Sequence, residues 1–387
     1  MKIGIVAGEP SGDNLAAQLI EAIRDKRPDI RVEGIGGERL REAGCDILFP
    51  MEKLAVMGLV EVVGKLWELS VVRAKLAEHL INDPPDVFIG VDAPDFNLGL
   101  ERKLRKKGIT TIHYVCPTAW AWRGWRVRGI RESADLVLSV FPFEPEFFRR
   151  HKVPVKYVGH PLAGQVDMQP DTEGARRRLG LSPQGLTVAV LPGSRSSELN
   201  RLTGPFIETA AWLAARYDGI QFVSNAVNGA TERCLREAAE RKGLQLKIVK
   251  DSIRDTLAAA DAALVASGTV TLETMLHKVP MVVAYRMHSL TFRIVRALIN
   301  VKFVSLPNLL AQRRLVPEYF QADCRAEVLG PALQYWLDNP DKAQSLSRQF
   351  ADLHLSLQET EETAAQAVLK LVDYGEHGAK LSADDAD

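Results

Sequence analysis

Thiols are scarce in this chain: four cysteines, Cys45, Cys116, Cys234 and Cys324, stand among 387 residues. They form no C-x-x-C pair and no histidine stands beside them in a ligand-like spacing, so a zinc module is excluded and reduced, buried thiols are expected. Excess charge is also lacking. Lys plus Arg and Asp plus Glu both total 49, which leaves no global field to draw nucleic acid, and none is expected as a partner. No apolar run is long enough to span a bilayer; the richest stretch, Leu54 to Val72, is interrupted by Glu61, Lys65 and Glu68. Any meeting with a membrane is therefore peripheral. The opening apolar run Ile3 to Ala7 stops at Gly8-Glu9-Pro10, too short for a signal peptide, so a cytoplasmic location is expected. The sequence has no H-E-x-x-H, P-loop or G-x-S-x-G, and no D-x-D in either folded half to hold Mg²⁺ on a diphosphate. No metal or cofactor is expected.

What the chain has is a regular alternation, with 46% apolar residues to fill two cores. Short β-branched runs alternate with helix-length periodic segments, the pattern of parallel sheets covered by helices on both faces. Strands are predicted at Ile3 to Ala7, Arg31 to Ile35, Val87 to Val91, Thr110 to Val115, Leu136 to Val140 and Val155 to Val158. Periodicity lapses over Gly159 to Pro170 and then restarts, with strands at Thr187 to Leu191, Gln221 to Ser224, Leu246 to Val249, Ala262 to Val265 and Met281 to Ala284. Helices are predicted at Asn14 to Asp25, Leu98 to Lys107, Pro205 to Arg216 and Thr231 to Lys242. The expected architecture is α/β, with two Rossmann-like, doubly wound domains facing across a cleft. They occupy residues 1–165 and 170–340; helices at 341–374 pack back on the first domain, and 375–387 form a disordered tail.

Two turns in the second half suit an anion. Leu191-Pro-Gly193-Ser194-Arg195 follows one strand, and Ser267-Gly268-Thr269 follows another and opens a helix carrying Glu273. Small residues let the backbone approach phosphate, a helix start offers unpaired N–H groups, and Arg195 offers a fork of donors. A carboxylate deeper in the helix can grip ribose hydroxyls. A nucleotide diphosphate fits both loops together. Ordinary strand-to-helix turns with a solvated arginine and an exposed glutamate would give the same residues.

In the first half, Gly8-Glu9-Pro-Ser11-Gly-Asp13 departs from G-x-G-x-x-G, so dinucleotide binding is weakly signalled. Ser11 or Asp13 can be a helix cap, whereas Glu9 has no capping duty to explain it. The fully apolar Val87 to Val91 runs straight into Asp92, placing a carboxylate at the sheet's functional edge, where it can act as a general base. Asp95 and Asn97 read as caps of the next helix. Two amphipathic stretches, one with Val56, Met57, Leu59, Val60, Val63, Leu66 and Trp67 and one with Phe292 and Val295, have the composition of interfacial helices or of core helices with a solvated face. The run Trp120 to Arg128 clusters tryptophan with arginine.

These motifs, from Val6 to Asp13, Leu54 to Glu61, Gly90 to Asn97, Tyr114 to Trp122, Leu191 to Arg195, Ala266 to Thr269 and Val304 to Leu310, resemble the lipid-A-disaccharide synthase family, bacterial glycosyltransferases of the GT-B class. The resemblance implies inverting transfer of 2,3-diacylglucosamine from its UDP derivative to the 6-hydroxyl of 2,3-diacylglucosamine 1-phosphate, at the inner-membrane surface. It implies that Asp92 is the general base, with Glu9 in the first-loop motif, that Arg195 and Asn308 handle UDP, and that Glu273 grips the ribose. A UDP-N-acetylglucosamine 2-epimerase, a peptidoglycan-type transferase and a non-catalytic nucleotide-sugar sensor remain as alternatives.

Overall fold

A computed structural model describes residues 1–54, 62–116, 127–250, 252–288, 292–293, 302–358 and 360–373. The chain divides into two compact units. The first is Met1–Pro161, rejoined by the C-terminal segment after Gln358; the second is Leu162–Gln358.

The first unit is built on seven strands: β1 (Lys2–Ala7), β2 (Arg31–Gly36), β3 (Cys45–Pro50), β4 (Val87–Val91), β5 (Thr110–Tyr114), β6 (Leu136–Ser139) and β7 (Val155–Tyr157). They lie parallel in the order β3-β2-β1-β4-β5-β6-β7. The near-continuous apolar strands follow from burial on both faces. Ile3, Ile5 and Ala7 point to one core with Ile20 and Ile23 of helix α1 (Pro10–Arg24). Val6 points to the other, with Leu76 and Leu80 of α3 (Val62–Asn82) and Leu100 and Leu104 of α4 (Pro94–Arg105). Each fully buried Leu or Ile contributes about 1.5–3 kcal/mol. The order reverses direction between β1 and β4, which makes their carboxyl ends the switch point where ligands bind in such sheets.

The second unit has six strands, β8 (Thr187–Leu191), β9 (Gln221–Ala226), β10 (Leu246–Lys250), β11 (Ala262–Ala266), β12 (Met281–Tyr285) and β13 (Glu318–Phe320), parallel in the order β10-β9-β8-β11-β12-β13. Its switch point lies between β8 and β11. Both units are parallel-sheet α/β domains, as the alternation predicts. Strands β3 and β13 escape the sequence reading: each is a short edge strand with no fully buried stretch, and its apolar run is at most Ile47-Leu48-Phe49 in β3 and Tyr319-Phe320 in β13. The helix expected from Pro205 starts nine residues earlier, as α8 (Ser196–Ala214) with Pro205 inside it.

The C-terminal helices divide differently from the expectation for 341–374. Helix α14 (Pro340–Gln358) belongs to the second unit, burying Leu346, Phe350 and Leu357. Its buried His354 lies with Nε2 2.7 Å from the Ala163 carbonyl and Nδ1 2.8 Å from Lys278 Nζ. An ammonium can only donate, so Nδ1 accepts and His354 is the Nε2–H tautomer. Only after this helix does the chain rejoin the first unit, where Ala365, Val368 and Val372 enter the core with α1. The expected tail at 375–387 lies outside the described residues.

Candidate active site

In the second unit a cavity of about 470 Å³ opens at the β8/β11 switch point. Its walls include Gly193, Ser194 and Arg195 from the loop after β8, and Ser267, Gly268 and Thr269 from the loop after β11. Glu273, on the short helix α11 (Val270–Leu276), lines it as well. The two anion-suited loops that stand 72 residues apart in sequence thus share one cavity, because β8 and β11 are hydrogen-bonded neighbours. Burial pushes the Glu273 carboxyl above its ordinary value, partly offset by the positive charge of Arg254.

One residue of this site was not legible from the sequence. Glu198, almost fully buried, lines the cavity and accepts hydrogen bonds from the backbone N–H groups of Ser194 and Arg195, each at 3.2 Å. It sits at the third position of α8 and reaches back to the N-cap, where the Arg195 guanidinium, which can only donate, returns no bond. Gly193 adopts φ 109°, and a β-carbon there would fall 2.4 Å from Glu198 Oε2, so only glycine fits the turn. Two loop amides expected to face an anion therefore serve the glutamate. That shifts the burden of charge onto the Arg195 side chain, which is 72% exposed and 3.7 Å from Glu198 Oε1. A glutamate at N3 signals a back-bond to the helix start only when that start is known, and Pro205 is a misleading start signal.

Asn308 is not in the cavity wall. It is fully buried, and its amide is committed: Nδ2 donates to the Val316 carbonyl and to Glu318 Oε1, each at 2.9 Å, while Oδ1 accepts from Leu315 and Val316 N–H at 2.6 and 3.0 Å. Its direct part is to hold the segment that leads into β13.

In the first unit, Glu9 and Asp92 follow β1 and β4, the two strands at that sheet's switch point. Their loops touch, since a β-carbon built on Gly8 would lie 3.0 Å from that of Ala93. Glu9 is exposed at the N-cap of α1 and makes no capping hydrogen bond with its side chain. Asp92 is half-buried. Asp13 is structural: buried in α1, it accepts from Gly37 and Arg39 N–H at 2.7 and 3.1 Å and so caps α2 (Glu38–Glu42) rather than its own helix.

Of the apolar residues singled out, Val56, Met57, Leu59, Val60 and Val295 lie outside the described residues, as do Trp120, Trp122 and Trp125. Val63 and Leu66 fall in the first turns of α3, where only the backbone is described. Trp67, on the same helix, is 73% exposed. Phe292 lies with its ring 6.3 Å from that of Phe320. Among the described residues, no helix is long and apolar enough to cross a membrane, and no cluster of three or more His, Cys, Asp or Glu could hold a metal ion.

Two units, each built on a parallel α/β sheet with its own switch point, have the architecture of the GT-B class. Solved structures with this fold include UDP-GlcNAc 2-epimerase from Neisseria meningitidis bound to UDP-GlcNAc, with TM-score 0.63 and 10% identity, covering 92% of this chain and 98% of that one. MurG from Acinetobacter baumannii is another, with TM-score 0.53 and 13% identity, covering 96% and 99%. At these identities the likeness extends to the fold alone. The family model described as lipid-A-disaccharide synthetase matches residues 3–372, and the chain belongs to that family. Lipid-A-disaccharide synthases of Hahella chejuensis and Pseudomonas aeruginosa are 47% and 46% identical to it, covering 97% and 96% of this chain and 95% and 98% of their own. It is a glycosyltransferase of lipid A biosynthesis.

Proposed function

We propose that the chain joins UDP-2,3-diacylglucosamine to 2,3-diacylglucosamine 1-phosphate through a β-1,6 linkage, releasing UDP, while resting on the inner-membrane surface. The carrying observation is the shared cavity at the β8/β11 switch point, lined by the exposed Arg195 and the half-buried Glu273. In this reading the Glu273 carboxylate accepts from the ribose hydroxyls and the Arg195 guanidinium pairs with the diphosphate. The helix start after β11 adds its dipole end.

Asp92 supplies the base from the first unit. Its carboxylate takes the proton of the acceptor 6-hydroxyl as that oxygen forms a bond to the anomeric carbon, and the bond from that carbon to the β-phosphate oxygen breaks with its electron pair leaving on UDP. Attack from the face opposite the leaving group inverts the anomeric centre. Glu9, on the adjoining loop, is the second acidic group available to the acceptor. Trp67 and the apolar residues around it, together with Phe292, are assigned to acyl chains or the bilayer.

The test is UDP release with both acylated sugars present. A positioned base contributes about 10²- to 10⁴-fold, so Asp92→Ala should lose at least about 100-fold in turnover while UDP affinity stays near wild type. A variant that retains turnover would sink the assignment. Equal turnover on unacylated UDP-sugars would favour an epimerase or a peptidoglycan-type transferase instead.

A further inference from the structure

Behind Asp92 lies a buried polar column that neither the cavity nor the proposed chemistry uses. Asp92 and Ala93 are consecutive non-glycine residues in the left-handed region, with φ 50° and 42°. That conformation is costly for side-chain-bearing residues and persists only where neighbours enforce it. The backbone N–H of Asp92 donates to the Tyr114 carbonyl at 2.9 Å, the last rung between β4 and β5. Its carbonyl accepts from Asn97 Nδ2 at 2.8 Å.

Asn97 is fully buried in the second turn of α4. The same Nδ2 lies 3.4 Å from the Val91 carbonyl and 3.5 Å from that of Val6, so it faces three carbonyl oxygens at the ends of β1 and β4. Its Oδ1 makes no hydrogen bond among the described residues, and only the nitrogen can face those carbonyls. One helical turn on, the fully buried Glu101 holds His113 Nδ1 at 2.7 Å. Gly90 makes room for both: a β-carbon there would lie 2.1 Å from Glu101 Oε1 and 2.9 Å from Asn97 Cβ. A helix cap, the sequence expectation for Asn97, would leave the amide at the helix end in contact with N–H groups.

We propose that Asn97 is a positioning residue for the transfer reaction, its side-chain amide holding the left-handed Asp92–Ala93 turn that presents the Asp92 carboxylate to the acceptor hydroxyl. This rests on Asp92 being the base. A misplacement of about 1 Å at such a group can cost about 100-fold.

The test compares Asn97→Ala, Ala93→Gly, the double variant and Asp92→Asn in UDP release, UDP calorimetry and thermal melting. Expected are a loss of about 10- to 100-fold in kcat for Asn97→Ala at unchanged UDP affinity, and recovery of most of that loss in the double variant. Glycine adopts the left-handed turn without a clamp, so rescue by Ala93→Gly is an effect that a merely space-filling asparagine would not show. Loss of kcat without rescue overturns the proposal, as does wild-type kcat in Asn97→Ala while Asp92→Asn is inactive; in that second case the base assignment survives. An active Asp92→Asn removes the base assignment and the positioning role with it. Should Asn97→Ala fail to fold, the double variant must fold and turn over; if it also fails, the amide serves packing and the proposal is refuted.

Discussion

Replacing Glu273 by glutamine exchanges one oxygen for an amino group in the wall of the cavity assigned to UDP and removes one charge. A carboxylate accepting from ribose hydroxyls makes charge-assisted bonds of about 1.5–3 kcal/mol, against about 1 kcal/mol for a neutral amide oxygen. The difference, about 0.5–2 kcal/mol, is about a 2- to 30-fold weaker UDP complex at pH 8. Burial adds a pH signature. Because it raises the Glu273 pKa, the free protein holds its proton to a higher pH than an exposed glutamate would. UDP must then displace that proton, and wild-type affinity falls as pH drops through the raised value; the glutamine variant lacks this dependence. The terminal phosphate of UDP itself titrates near pH 6 and affects both proteins alike, so the informative quantity is the wild-type to variant ratio. Calorimetry with UDP from pH 8 to pH 5 should show the two affinities converging toward acid, with buffer-dependent proton release larger for wild type than for the variant. Affinities within twofold at pH 8, or a ratio constant across the range, would refute the assignment of Glu273 to the ribose.

Arg195→Ala should weaken UDP and lower turnover together, while unfolding free energy changes by no more than about 0.5 kcal/mol, because the side chain is exposed and its pairing with Glu198 is loose; unchanged UDP binding by calorimetry would count against the cavity as the diphosphate site. Trp67→Glu should reduce flotation with anionic vesicles and raise KM for the acylated donor without changing UDP affinity, since the exposed indole is assigned to lipid rather than to the core. If flotation and KM both stay as in wild type, α3 does not meet acyl chains.

Particular elements show how far reading the chain alone could go. β1, β4, β8 and β11 are wholly or almost wholly buried runs of five or six residues, each ended by a turn rich in small or acidic residues, and their place at the switch points follows from their being the central strands. β3 and β13 sit at sheet edges, where one side is exposed and the apolar signal is diluted. Helix α14 is amphipathic in either setting; its docking in the second unit rests on contacts distant in sequence, such as that of His354 with Ala163 across 191 residues. Asn308 carries no local mark distinguishing a ligand contact from its four internal hydrogen bonds.

By itself the sequence determined the two parallel α/β domains, the pair of anion-suited loops in the second, and the acidic turns after β1 and β4 in the first, because strand burial and turn chemistry are written in neighbouring residues; that the loops after β1 and β4 touch is a finding of the structure. Only the tertiary structure decided what each polar group does. Asp13 caps a helix that begins 25 residues later, Glu198 takes amides expected for phosphate, and Asn97 turns inward to the ends of two strands rather than capping its helix. Hydrogen-bond partners are allotted by proximity in the folded chain, and a buried donor or acceptor left unpaired is costly enough that this allotment outweighs local preference.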